Sequence, residues 1–126
     1  MSKWSVSLHA LAEKAKADLE TVARKATFEL FRAVVLRSPV DTGRFRANWN
    51  ASYGAADYAT SASTDRGRGV QQAIRALTMP VGGIVYLSNG LPYASRLEYG
   101  WSKQAPNGMV RLSVLEFNDF VRGATA

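Results

Sequence analysis

Ser38-Pro39-Val40-Asp41-Thr42-Gly43-Arg44-Phe45-Arg46-Ala47-Asn48-Trp49-Asn50-Ala51-Ser52-Tyr53 decides the fold of this chain. Phe45, Ala47, Trp49, Ala51 and Tyr53 alternate with Arg44, Arg46, Asn48, Asn50 and Ser52. A period of two with one apolar face predicts a strand over Phe45–Tyr53. The Pro-Val-Asp-Thr-Gly corner before it marks a break, because Pro39 disfavours helical geometry at Ser38.

Upstream of the corner the period is different. Trp4, Leu8, Leu11, Ala15, Leu19, Val22, Ala26, Leu30 and Val34 recur every three or four residues. That is one stripe of an amphipathic helix, uninterrupted by Gly or Pro, over about 4–37. At ~1.5 Å per residue such a helix is roughly 50 Å long. A compact domain of this size has a diameter of roughly 36 Å. The helix outruns its own domain, so part of its stripe, including Trp4, Leu8 and Leu11, is expected at a subunit interface.

Downstream, Gly54 to Gly69 is rich in Ala, Ser and Thr and closes on Asp65-Arg66-Gly67-Arg68-Gly69. That composition predicts a flexible arm over about 54–69. Ala73, Ile74 and Leu77 predict a short helix that ends before Pro80. Ile84–Ser88 reads as a second strand, followed by an Asn89-Gly90 turn signal. A helical turn is expected over Pro92–Tyr99, a loop from Gly100 to Gly108, and a closing helix over Met109–Val121. The expected fold class is α+β. One domain spanning 1–126 lays a long N-terminal helix on a small, mainly antiparallel sheet with short helices. Phe45, Trp49, Val85, Leu87, Leu97 and Leu115 should form the core.

A chain of 126 residues, 47% apolar, has the size and composition of one folded domain. It contains no cysteine and a single histidine, His9. Disulfides, thiolate chemistry and multi-histidine metal sites are thereby excluded. No uncharged apolar run approaches the ~18 residues of a membrane span. Glu13, Lys14 and Lys16 fall where a signal peptide would carry its apolar region, so no export signal is expected. The net charge of +6 is spread out rather than blocked, and suits either nucleic acid or an acidic protein neighbour.

Asp41-Thr42-Gly43 admits an enzymatic reading. Retroviral-type aspartic proteases are dimers in which each chain gives one such triplet, and the paired carboxylates share a proton. There the triplet lies between strands of an all-β fold. Here it follows a long helix and leads into Arg44 and Arg46, which would hold the carboxylate ionised. A simpler role is structural, with Asp41 capping the turn and Gly43 taking a backbone angle other residues avoid. His9 has no carboxylate beside it in sequence and reads as a surface or interface residue. Gly67-Arg68-Gly69 lacks the lysine and spacing of a phosphate loop, although Arg66 and Arg68 could touch DNA or a partner. Ser102-Lys103 resembles a nucleophile pair only by adjacency. Glu98, among Tyr93, Leu97, Tyr99 and Trp101, should form an ion pair with Arg44, Arg46, Arg96 or Arg111.

Two segments acquire meaning together. The first runs from Ser38 to Trp49. The second is Asn89-Gly90-Leu91-Pro92-Tyr93-Ala94-Ser95-Arg96-Leu97-Glu98-Tyr99-Gly100-Trp101-Ser102, continuing through Gln104-Ala105-Pro106-Asn107-Gly108-Met109-Val110-Arg111. In this order, after a long helix, they resemble the neck and tail-completion proteins of long-tailed bacteriophages. These are small head–tail joining proteins that include the lambda-type minor tail protein Z group. The resemblance covers nearly the whole chain. Its most specific parts are Pro39-Val40-Asp41-Thr42-Gly43-Arg44, Tyr-Ala-x-x-Leu-Glu-x-Gly (93–100) and Ala-Pro-x-Gly-Met-Val-Arg (105–111).

The resemblance implies a non-enzymatic structural virion protein without cofactors. Such a chain would form a homo-oligomeric ring, typically hexameric, between the capsid connector and the tail tube. Its partners would be head-side connector and tail-terminator or tail-tube proteins. DNA would pass through the lumen without sequence specificity, and assembly would take place in the host cytoplasm. A basic nucleic-acid-binding module is the alternative, and would bind duplex tightly with affinity falling steeply as salt rises.

Overall fold

The computed structural model describes residues 2–40, 42–99 and 108–125, with side chains described from residue 10 onward. The fold is α+β. Helix α1, Ser2–Arg37, carries the molecule. Good helix formers fill it, and Pro39 ends it. A single helical turn α2, Arg44–Ala47, follows the corner and passes into strand β1, Trp49–Tyr53. Helix α3, Arg68–Ile74, continues as a 3-10 turn over Arg75–Thr78. Strand β2, Val85–Asn89, then pairs antiparallel with β1, from Trp49 opposite Asn89 to Tyr53 opposite Val85. Short helices α4, Ala94–Glu98, α5, Val110–Leu115, and α6, Phe117–Thr125, complete the chain.

The core has two parts along the body half of α1. Val34 and Val35 meet Phe45, Trp49, Leu91 and Met109. One turn earlier, Phe31 meets Ala51, Ala73, Ala76 and Met79. Leu87 touches both clusters and joins them. The other half of α1 is different: every residue from Ala10 to Leu19 is exposed. Leu11 and Leu19 are 63% and 71% exposed.

The helix end is fastened to the strand by one hydroxyl. Buried Ser38 donates its Oγ proton to the Val34 carbonyl at 2.8 Å and accepts from Trp49 Nε1 at 2.8 Å. A buried indole N–H requires such an acceptor. Arg46 Nη2 donates to the carbonyls of Leu36 and Ser38, which have no intrahelical partner at a helix end.

Several expectations need correction. The strand begins at Trp49, not Phe45. Ala47 N–H bonds the Gly43 carbonyl at 2.9 Å, and Asn48 closes the turn by donating Nδ2 to the Arg44 carbonyl at 2.7 Å. Phe45 and Trp49, four residues apart, both stay buried, with ring centroids 5.7 Å apart. A turn of helix and an alternating strand thus bury the same two side chains. The second strand is shifted by one residue, and Ile84 is exposed outside it.

Leu115, expected in the core, is 81% exposed. The closing helix breaks at Glu116, and its first piece turns Met109 and Ser113 inward instead. Ser113 fits because its hydroxyl bonds the Met109 carbonyl and accepts from Arg37 Nη1. Arg37 also pairs with Glu116. Val85, Leu87 and Leu97 are half-buried and pack against the clusters rather than inside them.

Candidate functional site

The corner and the second motif segment come together. Pro39, Thr42, Gly43 and Phe45 on one side face Tyr93, Arg96 and Leu97 on the other, around a cavity of about 380 Å³. The Phe45 and Tyr93 rings lie 6.1 Å apart between centroids. Ala94, half-buried at the start of α4, packs against the same cluster.

Gly43 has φ of 85°, a left-handed conformation that side chains resist. Space forbids a side chain as well. A Cβ there would sit 2.6 Å from the Thr64 carbonyl oxygen and 3.2 Å from Arg66 Cγ. Thr42 Oγ1 accepts the Arg44 N–H at 3.2 Å, which tightens the turn. Asp41 lies outside the described residues, so its capping role and the protease triplet are not placed by the structure. Thr42 and Gly43 open a helical turn.

Glu98 is the most densely bonded carboxylate of the described residues. Oε1 accepts the N–H groups of Met109 and Val110 at 3.0 and 2.8 Å. Oε2 accepts Arg111 N–H at 3.1 Å and Arg111 Nε at 2.9 Å. Arg111 Nη2 returns to the Glu98 carbonyl, and its guanidinium lies 4.8 Å from the Tyr99 ring centroid. The side chain of Glu98 is only 16% exposed. Burial would raise its pKa. The main-chain N–H groups of Val110, Arg111 and Met109, with the Arg111 guanidinium, outweigh this and hold it below the usual carboxylate value.

Gly108 completes the clamp. Its φ is 81°, and a Cβ would lie 2.5 Å from the Glu98 carbonyl oxygen and 2.7 Å from Oε2. Of the arginines weighed for Glu98, Arg111 is the partner observed. Leu97-Glu98 of the first motif and Gly108-Met109-Val110-Arg111 of the second are therefore two halves of one clamp. It seats the N-terminus of α5 on the C-terminal end of α4. A carboxylate held ionised by four donors is poorly suited to proton transfer.

Gly100, Trp101, Ser102, Lys103 and Pro106 fall outside the described residues, as do the side chains of Trp4, Leu8 and His9. Leu11 is exposed.

The two arginines assigned to DNA or a partner differ. Arg68 points inward. Its Nη1 donates to the carbonyls of Ala47 and Trp49, and its Nη2 to Asn50 Oδ1 at 2.8 Å. This corrects the earlier assignment, because that guanidinium is engaged by the body. Arg66 is exposed and lies close enough to Arg46 to depress the latter's pKa, second to the effect of burial.

Sequence reasoning missed Asn48 and Asn50. Both are buried on what alternation marked as the outward, polar face. A strap of chain, residues 55–65, crosses that face. Asn50 Nδ2 donates to the carbonyls of Asp57 and Ala59, at 3.2 and 2.8 Å. Asn48 Nδ2 donates to the Ser61 carbonyl, and Asn48 Oδ1 accepts Ser61 N–H at 2.8 Å. The arm predicted over 54–69 is thus irregular through residue 65, with Arg68 and Gly69 already in α3. The signal was present: a strand whose polar residues are amides rather than charges can face a main chain.

The chain matches no protein-family model, no curated protein and no solved structure. Among the described residues, no helix is long and apolar enough to cross a membrane.

Proposed function

We propose that this chain is a structural subunit that closes into a ring between the capsid connector and the tail tube of a long-tailed bacteriophage. The lumen of that ring leaves passage for DNA. The observation that carries the reading is the division of α1: its second half anchors the core, and residues 10–19 stand exposed with Leu11 and Leu19 uncovered. An apolar stripe without a cover in the monomer finds one when copies stand side by side. The motif residues that carry the family resemblance support the same reading, since Gly43, Glu98, Gly108 and Arg111 do architectural work. A hexameric ring follows from the resemblance, as do a virion location and contacts with connector and tail-terminator or tail-tube proteins.

The test is electron microscopy and sedimentation of the purified protein across a wide concentration range. Annular particles at high concentration, lost in Leu11→Ser/Leu19→Ser, are expected. A monomer at every concentration, with no place in a virus particle, would overturn the proposal. Exposed Arg44 and Arg66 beside Arg46 favour a second reading, a basic nucleic-acid-binding module. That reading requires duplex binding by the isolated protein with a steep salt dependence.

A further inference from the structure

We propose that the strap, residues 55–65, is a detachable element that lifts off the sheet as a unit while the rest of the chain stays folded. The inference stands whether or not the chain builds a ring.

The manner of attachment carries it. None of residues 54–66 belongs to either hydrophobic cluster. The bulkiest strap side chain, Tyr58, is 67% exposed. Among the described residues, no main-chain hydrogen bond ties 55–64 to the body. The strap hangs on side chains. Asn50 holds the carbonyls of Asp57 and Ala59, Asn48 holds both main-chain groups of Ser61, and Arg44 Nε adds a contact to the Ser61 carbonyl at 3.2 Å.

The strap also looks after its own N–H groups. Asp57 Oδ1 accepts from Ala59, Ser61 Oγ from Ser63, Ser63 Oγ from Asp65, and Asp65 Oδ1 from Gly67. Each is a bond between residues two apart; the first three lie inside the strap and can travel with it, and the last marks its fixed end beside α3. Gly54, at φ of 83° and with no atom within 4 Å of a would-be Cβ, gives one end room to turn.

Opening therefore uncovers amides, a guanidinium and main-chain carbonyls rather than apolar core. Water satisfies such groups, so each bond exchanged costs little net. Global unfolding would expose both clusters and costs far more.

The geometry supplies two independent ways to force the change. Asn50→Ala removes two of the donors. Gly90→Ala acts from beneath as a wedge, because a Cβ there would lie 2.1 Å from the Tyr58 carbonyl oxygen. Amide hydrogen exchange read residue by residue is the measurement.

In the wild type, the Ser61 amide should exchange by a route insensitive to low urea, while the buried Val35 amide inside α1 exchanges only through global unfolding. Each variant should speed Ser61 exchange, by roughly tenfold for each 1.4 kcal/mol of attachment removed. Val35 protection should be unchanged in Gly90→Ala, and should fall less than that of Ser61 in Asn50→Ala, which also takes an acceptor from Arg68. Two results would overturn the proposal. One is Ser61 and Val35 exchanging together with the same urea dependence. The other is either variant lowering Val35 protection as much as it lowers that of Ser61.

Discussion

Two stretches of α1 share one apolar period, yet that face is covered over residues 28–35 and not over residues 10–19. Around Phe31, Val34 and Val35 the stripe is sealed by the sheet and α3. From Ala10 to Leu19 the same spacing faces solvent. Periodicity specifies where a helix is apolar. What lies against that face is set by the rest of the chain, or by another one.

That contrast can be attacked from both ends. The largest effect is expected from Phe31→Ala in the covered half. Emptying that site should lower unfolding free energy by about 3–5 kcal/mol in a urea titration. Next comes Ser38→Ala, which strands the Trp49 indole N–H in a buried setting. Its expected cost is about 1–3 kcal/mol in the same titration.

Acid should act through Glu98, at the clamp beside the covered half. A carboxyl whose pKa is depressed in the folded state stabilises fully above the ordinary carboxylate range. That contribution is lost as pH falls through the depressed value. Melting temperature plotted against pH should therefore drop more steeply in acid for the wild type than for Glu98→Gln, which cannot titrate. The smallest folding effect belongs to the free half. Leu11→Ser/Leu19→Ser should change dilute-solution stability by no more than about 0.5 kcal/mol. If the pair cost as much as Phe31→Ala, the two halves would not differ as described.

Much of this was legible in the residues. Pro39 and the three-four spacing gave α1, and alternation from Trp49 gave β1. Glu98 amid aromatic neighbours called for an arginine, and Arg111 is there. Gly43 was expected at a backbone angle unwelcome to others, and adopts one. What escaped depended on contacts distant in sequence. Alternation assigned Asn48 and Asn50 to water, because it cannot see a main chain returning ten residues later. Leu115 was drawn inward by its hydropathy, but the phase of α5 is set by Ser113, whose hydroxyl meets Arg37 from the far end of α1. Arg68 looked like a solvent-facing cation in a glycine-rich loop. Its charge is instead absorbed by the carbonyls of Ala47, at the end of α2, and Trp49, at the start of β1.

The Ser38 hydroxyl has one proton, and Val34 takes it, so its oxygen is left to receive the Trp49 indole. The last turn of a long lever is thus coupled to a fluorophore. A push on the distal arm of α1, by a neighbour or by crowding, meets the sheet first where Phe31 lies against Ala51, and then the indole at Ser38. With Trp4 and Trp101 replaced by Phe, the emission wavelength of Trp49 becomes a strain gauge already installed in the molecule.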